Sequence, residues 1–183
     1  YETVRSGNQL FQRHQIVLDE QFSVSKLIPY IEVYGWVGQD VDFANNRLGR
    51  GANLNLLATV RPTNHLELGL TTGESWLTPQ GANNRLFTAQ IERIRATYTF
   101  NAKMFLRAIV QNSRTNFNPA LYTFPIHRHS GRLASQLLFA YKVNWQTVMY
   151  VGYSDLRGVM NETNDFATAN RQYFLKLSYA FQR

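Results

Sequence analysis

The chain has 183 residues, the size of one domain, and its 19 Lys plus Arg against 12 Asp plus Glu give a net charge of +7 with neutral His. It holds no cysteine, which excludes disulfides, thiolate metal sites and cysteine nucleophiles. No apolar run approaches the roughly 18 residues of a membrane helix, and 44% hydrophobic with 14% aromatic content is far from the make-up of a disordered tail. The basic residues are scattered singly, with no helix-turn-helix or zinc-finger spacing, so nucleic acid is not an expected partner.

Along the chain, side chains alternate with a period of two, the signature of strands with one apolar face. The pattern predicts strands near 10–21, 28–39, 48–61, 65–76, 87–100, 103–112, 132–142, 145–154 and 171–181. The first is weakly patterned, and the facing of the second is ambiguous. From the third onward the alternation is clear. Ala52, Leu54, Leu56, Ala58 and Val60 oppose Asn53, Asn55, Leu57, Thr59 and Arg61. Leu66, Leu68 and Leu70 oppose Glu67, Gly69 and Thr71, and Ile94, Ala96, Tyr98 and Phe100 oppose Arg93, Arg95, Thr97 and Thr99. Met104, Leu106, Ala108 and Val110 repeat the pattern, as do Leu137, Phe139, Tyr141 and Val143, and then Tyr173, Leu175, Leu177, Tyr179 and Phe181. No segment reads as a long amphipathic helix. The class is all-β.

Connections alternate in length. Tight turns are expected at Pro62-Thr63-Asn64, Asn101-Ala102 and around Asn144, with long polar loops over 40–47, 77–85, 113–130 and 155–170. Tight turns at one end and long loops at the other describe an antiparallel up-and-down transmembrane β-barrel in a bacterial outer membrane. Tyr98, Phe100, Trp145, Tyr179 and Phe181 fall near the tight-turn ends, and Trp76, Tyr153 and Tyr173 near the loop ends. Such rings suit two interfacial girdles contacting outer-membrane lipid. Nine strands is an odd number, so the segment is expected to be the C-terminal part of a larger barrel, completed by N-terminal strands or by a partner subunit. An eight-stranded closure with an unpaired first segment is the competing arrangement.

The closing stretch NRQYFLKLSYAFQR resembles the C-terminal strand of outer-membrane barrels, with Tyr179 and Phe181 as the alternating terminal aromatics. Gln182 and Arg183 after the last aromatic depart from that pattern. Three further stretches, GANLNLLATVRPTNHLELGL, RLFTAQIERIRATYTFNAKMFLRAIVQ and LLFAYKVNWQTVMYVGYSD, resemble one family. It is the barrel region of large bacterial proteins that carry an N-terminal module like a family-9 carbohydrate-binding domain. The resemblance spans roughly residues 48 to 183 and lies in strand and turn phrases. It implies location and architecture but no activity. The carbohydrate-binding module is absent here, so sugar binding does not carry over.

Catalytic motifs are wanting: no GxSxG, HExxH or P-loop pattern occurs. Asp40 with Asp42, and His127 with His129, are spaced as acid/base or metal pairs, but the first reads as a solvated loop and the second has no third ligand nearby. No cofactor and no metal is expected, and the chain is not expected to be an enzyme. The informative residues are basic. Arg61, Arg93, Arg95, Lys103, Arg107, Lys142 and Lys176 fall opposite the aliphatic faces, with Glu32 and Glu67 the strong counterweights. In a barrel that face is the lumen, and a ring of cations there attracts an anionic solute or an acidic segment. The expected function is therefore a barrel of pore, transport or scaffold type. The alternative is a soluble lipocalin-like carrier with its apolar face turned inward.

Overall fold

The structure, a computed structural model, describes residues 1–159 and 165–181. Its strands are β1 (Glu2–Ser6), β2 (Gln9–Arg13), β3 (Gln15–Phe22), β4 (Tyr30–Asp42), β5 (Arg47–Val60), β6 (Leu66–Pro79), β7 (Phe87–Asn101), β8 (Met104–Phe117), β9 (His129–Lys142), β10 (Thr147–Val159) and β11 (Phe166–Tyr179). One 3-10 turn spans Pro119–Leu121. Strands β3 to β11 form a single antiparallel sheet in sequence order, and β1 pairs with β2 as a separate hairpin. The class is all-β with up-and-down topology, as the alternation predicts.

The tight turns form where expected, and side chains close them. Thr63 Oγ1 accepts from the backbone N–H groups of His65 (3.2 Å) and Leu66 (3.0 Å). Asn101 Oδ1 accepts from Lys103 (2.8 Å) and Met104 (3.1 Å), and Asn144 Oδ1 from Gln146 (2.9 Å) and Thr147 (2.8 Å). A short polar side chain thus satisfies the donors that the reversal strips from the ladder.

At the other end, the strands run further than the sequence pattern reaches. The loop expected over 113–130 contracts to 118–128, the one over 77–85 becomes 80–86, and the one over 40–47 becomes a four-residue turn at 43–46. The last expected loop, 155–170, is largely replaced by the ends of β10 and β11, and part of it lies outside the described residues. The first expected strand is broken at His14 into β2 and β3, and β1 precedes it. β3 pairs with β4 from Gln15↔Gly38 to Phe22↔Ile31, so the first segment is not left unpaired.

Register places one set of residues on each face across all nine strands. Cross-strand partners include Ile31↔Ala58, Val60↔Leu68, Leu70↔Ile94, Ile94↔Val110, Leu106↔Phe139, Phe139↔Val151 and Val151↔Leu175. The apolar residues of every strand therefore join into one continuous band. On that face Leu54, Ile94, Val110 and Leu137 are 39–57% exposed. On the opposite face Leu57, Ile91, Ile109 and Leu138 are partly covered. At its loop end this face receives the 118–128 segment: Arg47 Nη2 donates to Leu121 O at 2.5 Å, and Thr123 N and Oγ1 donate to Asn45 Oδ1 at 3.1 and 2.9 Å. This is the inner face.

The sheet is open: β3 and β11 are its edges and are not bonded to each other. The core is correspondingly small, with Val41, Leu77 and Leu86 buried at the loop end, and Ala52 and Ala140 the other buried apolar residues.

Candidate functional site: the inner face

The inner face is polar because the odd residues of β5 to β8 point there. Asn53, Asn55, Ser75, Gln111 and Thr115 line its middle, and Asn55 Nδ2 donates to Asn53 Oδ1 at 2.5 Å. Arg93 and Arg95 of β7 share this face with Arg107 of β8, which opposes Thr97. Lys142 lies at the turn end of β9, opposite Val148, and Lys176 on β11 opposes Tyr150. Arg61 follows β5 and meets Glu67 at the start of β6. Lys103 departs from the expected position: it occupies the exposed two-residue turn between β7 and β8, at the rim and not on a strand face.

Glu67 is the hub on one side. Arg61 Nε and Nη2 both donate to Glu67 Oε2 at 3.0 Å, and Arg95 Nη2 reaches Oε1 at 3.4 Å. Arg95 runs over Gly69, its cross-strand partner: a Cβ built there would lie 3.4 Å from Nε and Nη2, in ordinary van der Waals contact. One carboxylate thus serves two cations, which sequence spacing alone did not reveal. Glu32, expected as a second counterweight, instead accepts from the Tyr30 hydroxyl at 2.5 Å and from Gln21 Nε2 at 3.2 Å. Arg93 and Arg95 border a cleft of about 170 Å³ with Tyr30, Leu57, Thr59 and Thr71. A larger hollow of about 670 Å³ opens at the turn end beside Arg61, Glu67, His65 and Thr99.

The sequence's other candidate pairs have structural partners. Asp40 and Asp42 lie on β4: Arg13 Nη1 donates to Asp40 at 2.7 Å, and Arg47 Nε to Asp42 at 2.8 Å. His129 Nδ1 lies 2.8 Å from Asn116 Oδ1, and His127 is exposed in the loop. Among the described residues no group of three or more His, Asp or Glu could hold a metal ion.

Above the apolar band, the outer face turns polar. Glu74 accepts from Arg85 (3.3 Å) and Gln90 (3.0 Å), and Arg85 lies 4.7 Å from the centroid of Trp76. Glu92 accepts from Asn112, and Asp155 from Arg157 and Arg171. The outer face is thus layered, aliphatic below and ion-paired above. No known protein-family model, curated protein or solved structure matches this chain.

Proposed function

We propose that the chain is a wall of a transmembrane β-barrel in a bacterial outer membrane, of pore, transport or scaffold type, with no catalytic site of its own. The observation that carries this reading is the apolar band. It runs across β4 to β11 on the outer face and continues onto the edge strand β3 through Ile16, Leu18 and Phe22, beside Glu20, with Tyr98, Phe100, Tyr141 and Tyr179 toward the turn end and Tyr153, Tyr173 and Trp76 toward the loop end. Interfacial rings bracketing aliphatic residues match the profile of a bilayer. A soluble carrier needs its apolar face on the inside of the curve, and here the inside holds arginines and amides.

The edges fit the same reading. In an antiparallel sheet of nine strands, β3 and β11 run in the same direction, so joining them directly would make a parallel pair. Closure with antiparallel pairs alone takes an odd number of further strands, which makes the total even. Unpaired backbone in lipid is too costly to persist, so the missing strands come from elsewhere in the protein or from a partner subunit.

The test is extraction of the protein from the cell that makes it. It should stay in the membrane through salt and alkaline washes, enter solution with detergent, and migrate differently on a gel when unheated. Recovery in the aqueous fraction without detergent would reject the membrane reading in favour of the soluble carrier.

A further inference from the structure

The inner face is electrically divided, and the register shows where the boundary falls. From β3 to β6 it carries Asp19, Glu32, Asp40, Asp42 and Glu67, with Arg47 and Arg61 among them. From β7 to β11 it carries Arg93, Arg95, Arg107, Arg132, Lys142 and Lys176, and not one carboxylate among the described residues. The acidic side is largely engaged: Glu67 holds Arg61 and Arg95, Asp40 holds Arg13, Asp42 holds Arg47, and Glu32 is hydrogen-bonded to Tyr30 and Gln21. The basic side is not. Among the described residues Arg93, Arg107, Arg132, Lys142 and Lys176 have no carboxylate within ion-pair distance.

We infer that the β7–β11 wall is an anion track: solutes bearing a carboxylate, phosphate or sulfonate group move along it, passing Arg93 and Arg107, and not along the β3–β6 wall, whose charges are largely paired. The inference rests on the reading of the inner face as a water-filled lumen. Cations lining one side of a low-dielectric wall concentrate counter-ions there, and carboxylates held by their own partners add little opposing attraction. Arg93 and Arg107 are the residues that set the track, because they stand on neighbouring strands, Arg93 at mid-height and Arg107 nearer the turn end opposite Thr97, with no carboxylate paired to either among the described residues. Arg95 differs, being drawn across Gly69 to Glu67.

These 183 residues hold no cysteine, so single cysteines placed in them report cleanly on the full protein in its own membrane once any cysteine elsewhere in it is replaced by serine. Single cysteines are introduced at Gln111→Cys, directly opposite Arg93, and at Tyr34→Cys, opposite Asp19 and two residues from Glu32. Each is reacted with two water-soluble thiosulfonates, one bearing a sulfonate and the other a trimethylammonium group. The sulfonate-to-ammonium rate ratio should be roughly tenfold higher at position 111 than at 34, in line with counter-ion focusing. Adding Arg93→Gln to Gln111→Cys should cut that difference severalfold. Gln136→Cys on β9 gives the same measurement if the first variant does not fold. Equal ratios at both positions, with both thiols reactive, would overturn the anion track and leave the lumen standing. Failure of either reagent to reach any inner-face cysteine would overturn the water-filled lumen, and the track with it.

Discussion

The two ends of this sheet solve the same problem differently. At the loop end, apolar side chains are covered by the chain itself. Leu86 is 2% exposed and Leu77 3%, and the segment over 118–128 packs its aromatics there, with Tyr122 edge-on to Phe117 and Phe124. Toward the turn end, none of the described residues covers the aliphatic outer face: Ile94 is 57% exposed and Leu175 73%. The strands are continuous between the two regions, so backbone pairing does not distinguish them. What differs is the medium each requires. The loop end is built for water, with a small core and ion pairs around it. The turn end needs a surrounding that supplies the apolar contacts the chain omits.

That contrast gives its own strongest test. Ile94 is outward in the band, so Ile94→Arg should cost about 2–4 kcal/mol if hydrocarbon lies against it, whereas Gln136→Arg on the inner face should be tolerated. The yield of heat-modifiable protein in the membrane fraction compares them directly, and equal yields would break the assignment of the two faces. Truncations sharpen the comparison next. Leu86→Ala removes a side chain from a real core and should cost roughly 2 kcal/mol in reversible denaturant unfolding, at the low end for buried leucine because the site borders the surface. Ile94→Ala leaves no cavity if lipid fills the space, and should then cost clearly less.

How much of this was legible in the sequence follows the same division. Where one face is aliphatic, as in Leu54 to Val60 or Ile94 to Phe100, alternation marked strand and facing together. Strands β6 and β7, expected over 65–76 and 87–100, form close to those bounds. The missed extensions lie at the loop ends of β8 to β11, where Arg114↔Gly131, Thr115↔Ser130 and Asn116↔His129 pair polar or small residues. With no hydrophobic contrast there, the ladder continues unseen, and those strand ends read as loops. The hairpin of β1 and β2 was missed for the same reason: Glu2↔Arg13 and Thr3↔Gln12 present polar pairs with no apolar stripe. The basic inner residues were legible as a face but not as a network. That Glu67 would hold Arg61 and Arg95 depends on the β6–β7 register, which sets Arg95 beside Gly69 and within reach of Glu67, and spacing along one strand does not encode it.

The loop end also contains a latch whose loss should be modest. Asn45 Oδ1 accepts both the backbone and hydroxyl protons of Thr123, tying the 118–128 segment to the β4–β5 turn. Asn45→Ala removes these two hydrogen bonds, and also the one Asn45 Nδ2 donates to Asp42 within the turn (2.7 Å), so a loss of about 1–2 kcal/mol in loop docking is expected. Hydrogen exchange confined to residues 118–128 should rise while the β7 and β8 ladder stays protected. Uniform protection across both would mean that aromatic packing alone holds the loop.

The smallest effect concerns Tyr122, in the same loop. Burial against Phe117 and Phe124 pushes its hydroxyl above the usual phenol range, and the nearby Asp42 carboxylate pushes it further in that direction. The sign follows from linkage: an acid whose folded value is raised favours docking only while it stays protonated. An undocked loop ionises at the ordinary phenol value of about 10, so docking weakens as pH climbs past that point and through the raised folded value. At neutral pH Tyr122→Phe should leave proteolysis of the loop nearly unchanged, because no hydrogen bond of the hydroxyl is lost. Between pH 10 and 11.5, roughly the phenol range, cleavage of the original loop should accelerate while that of Tyr122→Phe stays comparatively flat. Parallel acceleration in both proteins would assign the alkaline loosening to other groups and remove Tyr122 from the loop's electrostatics.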